Sequence, residues 1–210
     1  KRHGQEIFPS GTIIDSLKNS AKIRNTWALV VLYFTSFGGF IALTAWFPTY
    51  WSEFQGFTPV KAGLFTAAFS ILASLVRVYG GKIADKFGGE KIAMLSMATI
   101  LLTTALLSFA PGLILSAVAV ALLAAGMGTA NGAIFKLVPV YIPDAVGGAA
   151  GWIGGLGAFG GFALPPVMGA IAGSYGKIGY ARGFFVFVIL SVINLLIINA
   201  LLKNRKKQNC

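Results

Sequence analysis

The stretch AAFSILASLVRVYGGKIADKFGGEKIAMLSMATI, residues 67–100, sets one short charged turn between two long apolar runs. The runs are continuous, without alternation of period two, so they read as helices and not as barrel strands. At 1.5 Å of rise per residue, about 20 apolar residues cross a hydrocarbon core of about 30 Å. The same pattern repeats outward in both directions. Apolar segments fall at about 27–51, 60–83, 92–110, 113–138, 146–173 and 181–202, joined by the short connections EFQGFTPV, ADKFGGEK, APG, PVYIPDAV and YGKIGYAR. Pro59, Pro111, Pro139 and Pro143 sit at these boundaries, where a missing backbone N–H costs least. Pro165 and Pro166 fall inside the fifth segment and are expected to kink it.

Composition agrees. Of 210 residues 56% are hydrophobic and 11% charged, against about 25% charged in a soluble domain, and the mean hydropathy is +0.78. A water-soluble globule and a disordered chain are both excluded. The 27 glycines are nearly twice the usual ~7% and suit membrane helices packed closely through small residues. Cys210 is the only cysteine and His3 the only histidine, so neither a disulfide scaffold nor a Cys- or His-centred metal site is expected. No nucleophile–base pair is evident, which argues against an enzyme and against any cofactor. The net charge of +11 lies between apolar runs and not on a soluble basic face, so it reads as membrane topology and not as nucleic-acid binding.

The domain reading is a basic leader (1–26), a six-helix transmembrane unit (27–202) and a basic tail (203–210). The leader is no secretory signal, because no apolar core follows its basic start; beginning at Lys1, the chain is compatible with a fragment. If the leader is cytoplasmic, that side carries Lys1, Arg2, Lys18, Lys22, Arg24, Lys82, Lys86, Lys91, Lys203, Arg205, Lys206 and Lys207. The far side carries Lys61, Lys177 and Arg182. This asymmetry puts both termini in the cytoplasm of a cell with the protein in its inner membrane. Arg77 and Lys136 are left within spans.

The turn GGKIADKFGGEK, Gly80 to Lys91, closely resembles the loop signature of the major facilitator superfamily, at Gly81, Asp85, Lys86, Gly88 and Lys91. Glycines suit the tight turn and Asp85 can pair across helices; a plain basic inside loop with a helix stop is the simpler alternative. The resemblance implies an all-α polytopic bundle equivalent to the C-terminal six-span half of a twelve-span transporter, with the substrate site at the midplane against a missing N-terminal half.

Arg77 is the most informative residue. An arginine inside a span costs about 2.5–3.5 kcal/mol on insertion scales, which makes it a functional hypothesis. Its planar fork matches planar oxyanions. The alternative is snorkelling toward Asp85, about 12 Å along the helix. In the first span Tyr33, Phe37, Phe40 and Thr44 share a helical stripe, either as pocket wall or as ordinary packing. Asn131 can donate to an anion or bond a neighbouring helix. Lys136 is set off its face and is expected to snorkel to the surface.

Tyr33 and Phe37 in LYFTSFGGF with Arg77 in RVYGG resemble the nitrate/nitrite porter family of that superfamily, in which an aromatic pair and an arginine help hold the anion. GMGTANGAIFKLVP (126–139) resembles the family's tenth span, and GGAAGWIGGLGAFGGFALPP (147–166) its glycine-rich signature. The resemblance implies substrate contacts from Arg77, Tyr33 and Phe37; Asn131 and the backbone N–H groups at Gly154 and Gly157 are further candidates on their own chemistry. Gly147, Gly151, Gly154, Gly155, Ala158 and Gly161 form a small-residue face for sliding or static helix contact.

All six acids, Glu6, Asp15, Glu53, Asp85, Glu90 and Asp144, read as loop or leader residues, so no carboxylate inside a span is available to relay a proton. That favours nitrate/nitrite exchange over proton symport. Transport of another anion, or an inactive truncated fragment, are the competing readings.

Overall fold

Hydrocarbon offers a backbone no water to bond with, so each apolar run must satisfy its own N–H and C=O groups by coiling into a helix. The computed structural model describes residues 13–208, and it does so with six helical spans, at Arg24–Phe54, Pro59–Phe87, Gly89–Ser108, Leu113–Tyr141, Pro143–Arg182 and Phe185–Arg205. Among the described residues there is no strand. Lys1, Arg2, His3, Glu6 and Cys210 lie outside the described residues. The protein is an all-α, polytopic, integral membrane protein.

A short helix α1 (Ile13–Ala21) comes first, and the first span follows as α2 (Arg24–Tyr33), a π-helical turn at Phe34–Gly38, α3 (Gly39–Thr49) and a second π turn at Tyr50–Phe54. The second, third and fourth spans are α4 (Pro59–Phe87), α5 (Gly89–Ser108) and α6 (Leu113–Tyr141). The fifth divides into α7 (Val146–Ala158), α8 (Gly160–Tyr175) and the short α9 (Gly179–Arg182), and the sixth is α10 (Phe185–Gln208). Pro59 opens α4, where its absent N–H is an orphan anyway. Gly88, at φ +95°, alone separates α4 from α5, a backbone state that favours glycine.

Several details depart from the sequence reading. Residues 13–21 of the polar leader are helical, and α1 docks on the fifth span. Gly148 N–H donates to Ser16 Oγ at 3.0 Å, and Trp152 Nε1 donates to the Leu17 carbonyl at 3.0 Å. Gly148 is in the first turn of α7, so Ser16 satisfies one of the donors that a helix start leaves open. Pro139 lies inside α6, which runs on to Tyr141. Pro165 and Pro166 lie inside α8, and the interruption of the fifth span falls upstream of them at Phe159. Proline's ring meets the carbonyl four residues back, here those of Gly161 and Phe162, so the disturbance propagates toward the N-terminus.

The core gathers the largest buried rings, Trp51, Tyr50, Phe47, Phe69, Phe184 and Phe187. Polar groups in it find partners locally. Thr66 and Thr104 each donate to the carbonyl four residues back, at 2.8 and 2.7 Å. Tyr50 Oη lies 2.9 Å from Ser116 Oγ, which Gln55 Nε2 also reaches at 2.9 Å. Many large apolar residues face outward instead, such as Leu64, Ile71, Leu102, Ile114 and Leu196, a surface that only lipid covers at low cost.

Candidate functional site

The spans nearest Arg77 are held by backbone-to-backbone contact. A Cβ on Gly128 would overlap the Ala73 carbonyl, one on Gly132 would lie 2.6 Å from Gly81 N, and one on Gly80 would lie 2.7 Å from Thr129 Cα. These absences of side chain let α4 and α6 touch along their length, and they carry Asn131 of α6 to the same side as Arg77 of α4.

Arg77 is the nineteenth residue of α4, which runs from 59 to 87, about 15 Å of rise from its Gly88 end. That is half the thickness of a ~30 Å core. Its Nη2 donates to Tyr33 Oη at 3.1 Å, and its Cζ lies over the Phe37 ring, 5.2 Å from the centroid. Among the described residues it has no carboxylate partner. Asp85, the alternative target for Arg77 by snorkelling, is paired instead with Lys136 at 2.9 Å. Arg77 stands on an exposed face of α4, its guanidinium laid against the aromatic wall of Tyr33 and Phe37, and it is Lys136 that reaches toward Asp85.

Phe37, Phe40, Ala73, Ser74, Arg77 and Asn131 line one concavity of about 20 Å³, the room of a water or two. Tyr33 is buried behind it, stacked on Phe37 at 5.0 Å between centroids and met edge-on by Phe135 at 4.9 Å. Tyr33 accepts from Arg77, so its own O–H remains free to donate. The amide oxygen of Asn131 is buried without a partner among the described residues. An amide carries an acceptor oxygen and a donor NH₂ that exchange places when its last torsion turns, so this residue can present acceptor or donor to the concavity. Thr44 stands off, bonded to the Phe40 carbonyl at 2.9 Å.

The two glycines separate. Gly157 is buried against Tyr33, whose Cδ1 would lie 2.6 Å from an added Cβ, whereas Gly154 has open space beside it and lines no part of the concavity. The small-residue face expected from spacing is packed only in part, at Gly151 against Leu17 and at Gly161 against Ile41. Gly147, Gly154 and Gly155 touch nothing; the close contacts with the first span use Gly157, Gly160 and Gly161, against Tyr33, Phe34 and Ile41.

Sequence reasoning missed the π turn at Phe34–Gly38, in which Gly39 N–H bonds back to the Phe34 carbonyl. Such turns insert one residue into a helix and are frequent at functional sites. This one begins directly after Tyr33 and contains Phe37, the two rings that meet Arg77. Ser74, three residues before Arg77 and so on its face, was findable by helical spacing alone.

Of the turn residues, Gly88 makes the corner, Asp85 pairs with α6, Lys86 Nζ lies 5.2 Å from the Phe87 ring centroid, and Gly81 packs its backbone against Gly132, while a Cβ on Gly81 would meet Lys136 at 3.7 Å. Lys91 is exposed. Glu90 corrects the reading of the acids as loop residues: it is in the first turn of α5 and 5% exposed, accepting from Tyr141 Oη at 3.2 Å and from Arg205. Both Asp85 and Lys136 are about half exposed, so Lys136→Ala should cost under ~1 kcal/mol. Arg205→Ala strands a buried carboxylate and should cost about 1–3 kcal/mol. Thermal unfolding of the two variants in detergent tests this order.

The superfamily profile "Major Facilitator Superfamily" matches residues 29–209. A "Probable nitrate/nitrite antiporter NarK1" of Thermus thermophilus is 34% identical over 93% of this chain and 47% of its own length. A "Nitrite extrusion protein" of Bacillus subtilis is 37% identical over 75% of this chain and 40% of its own. The chain thus spans about half the length of the curated relatives it matches. Among solved structures, the Escherichia coli fucose:proton symporter FucP superposes with a TM-score of 0.75 at 20% identity, over 90% of this chain and 45% of that one, a likeness of fold alone. The chain belongs to the Major Facilitator Superfamily, and the curated relatives it resembles there carry the names of nitrate and nitrite transporters.

Proposed function

We propose that the chain is the C-terminal half of a nitrate/nitrite transporter working by alternating access, with both termini cytoplasmic in the inner membrane, and that its cycle is exchange of nitrate for nitrite. The observation that carries the reading is Arg77, deep in α4 with no carboxylate partner among the described residues, facing a concavity beside Tyr33 and Phe37. A guanidinium at this depth is costly, and a small anion is the partner that relieves the cost.

The donors suit such a guest. The fork of Arg77 offers N–H groups in a plane, the Tyr33 O–H is unspent, and the Asn131 amide can turn its NH₂ inward. A trigonal or bent oxyanion can lie in the plane of the fork over the Phe37 ring. The shallow size of the concavity fits one wall of a two-walled site, its other side supplied by the missing N-terminal half with a second cation.

Exchange follows from charge. Without its anion the site would carry a bare cation through the reorientation, which lipid and protein interior both resist. The carboxylate buried among the described residues, Glu90, sits at the Gly88 end and is already matched by Arg205. The complete transporter reconstituted in liposomes is expected to take up labelled nitrate only when nitrite or nitrate is trapped inside, and to ignore an imposed pH gradient. Uptake into anion-free vesicles driven by that gradient would overturn exchange in favour of proton symport.

A further inference from the structure

A second cleft shares no lining residue with the Arg77 concavity. It measures about 640 Å³ and is lined by Ala105, Ser108 and Phe109 of the third span and its turn, by Ile171, Tyr175, Ile178 and Arg182 of the fifth, and by Phe185 and Val188 of the sixth. The Arg77 concavity is built from the first, second and fourth spans and shares none of these residues. The cleft opens at the end of the bundle away from Gly88 and Arg205, where the connections Phe109–Gly112 and Tyr175–Phe184 also lie.

Its lining is apolar and uncovered. Phe109 is 85% exposed, Tyr175 and Phe185 each 54%, and Ile178 42%. In a chain with six spans these groups meet acyl chains. One charge stands at the mouth. Arg182 Cζ lies 4.4 Å from the Tyr175 ring centroid, and among the described residues it makes no ion pair or hydrogen bond. A guanidinium resting on an aromatic face keeps its N–H edges free to donate to a third group. Ser108 lies close by, its hydroxyl proton already given to the Thr104 carbonyl at 2.8 Å, which leaves oxygen lone pairs and no competing donor.

We infer that this cleft is a binding site for an anionic phospholipid of the leaflet opposite the chain termini, its phosphate on the Arg182 edges and one acyl chain lying along Ile171, Phe185 and Val188. Charge complementarity selects the headgroup: an unpaired cation at the polar boundary, with an aromatic ring fixing its orientation, is the feature by which basic clefts between spans hold lipid headgroups. The apolar floor selects the tail, which a free phosphate lacks. The site is independent of the transport reading, since it shares no residue with the Arg77 concavity.

Native mass spectrometry of the detergent-solubilised protein tests this with phosphatidylglycerol, phosphatidylcholine and glycerol phosphate as probes. Phosphatidylglycerol should be retained at least tenfold better than phosphatidylcholine. Arg182→Gln should abolish the preference, and Ile171→Trp, which fills the floor, should lower retention of both lipids. Lys177→Gln, a cation of the same connection that lines no part of this cleft, should leave the preference intact. The inference fails if Arg182→Gln retains the preference, if Lys177→Gln loses it equally, or if glycerol phosphate competes as well as the lipid. It fails also if the lipid-free protein is a dimer that Arg182→Gln dissolves, which would give the cleft to a second copy.

Discussion

Arg77→Lys should weaken nitrate binding by the complete transporter about 10- to 150-fold, with its melting temperature little changed. The charge survives this substitution, so a site that needs only a positive potential would keep most of its affinity. What is lost is direction. Arg77 now donates to Tyr33 at 3.1 Å with Nη2 and holds further N–H groups in the same plane, whereas an ammonium is a compact point charge on a flexible stem. One hydrogen bond to a charged group contributes about 1.5–3 kcal/mol, and each 1.4 kcal/mol is a factor of ten in affinity, which gives the stated range. Tyr33→Phe leaves the guanidinium in place and removes one donor, so its loss should be smaller. Isothermal titration or a fluorescence binding assay, read beside a thermal melt, measures both. A lysine variant that binds nitrate normally would remove Arg77 from the site.

The architecture was legible in the sequence because hydrocarbon imposes a length and a polarity that no other environment asks for. Six apolar runs became six spans. The turn at Gly80–Lys91 was legible because a reversal in one residue needs a backbone state that favours glycine, and Gly88 has it. Arg77 was legible because a cation in an apolar run is costly wherever it points. Its partners were less so. Helical spacing put Tyr33 and Phe37 on one stripe, and the structure brings both rings to the guanidinium through a π turn that no periodicity announces, since its bonding departs from the 3.6-residue repeat. The place of Glu90 was hidden for a related reason. Its partners Tyr141 and Arg205 lie 51 and 115 residues away in sequence, and only the packing of α5 between α6 and α10 brings them together. Lys136, expected to snorkel, is half exposed and paired with Asp85; Pro139, three residues on, is no helix end, since α6 runs to Tyr141, and the pairing depends on the glycine contacts between α4 and α6.

The glycine-rich fifth span shows where pattern and packing part, and it carries the second large prediction. Gly154 and Gly157 were alike candidates for backbone contact with the anion. In the structure a Cβ on Gly157 would lie 2.6 Å from Tyr33 Cδ1 and 3.0 Å from Tyr33 Cβ, while Gly154 has nothing within 4 Å. Tyr33 cannot retreat, because Phe37 and Phe135 close on its ring from other sides. Gly157→Ala must therefore either part the first and fifth spans or swing the tyrosine hydroxyl off Arg77. Overpacking of this kind costs about 1–3 kcal/mol. The displaced hydroxyl should add a several-fold loss of anion affinity on top of a lowered melting temperature. Gly38→Ala should destabilise more, since its Cβ would overlap the Gly157 carbonyl and lie 2.7 Å from Gly160 Cα, backbone against backbone with no side chain to move. Gly154→Ala should change the stability of this chain by no more than the ~0.5 kcal/mol typical of unconstrained positions, leaving its melting temperature nearly unmoved. If it nevertheless abolished transport, Gly154 would face its partner outside this chain, as a wall of the pathway. Equal melting temperatures for the Gly154 and Gly157 variants would show that the fifth span does not press on Tyr33, and the positioning of the Arg77 site would need another source.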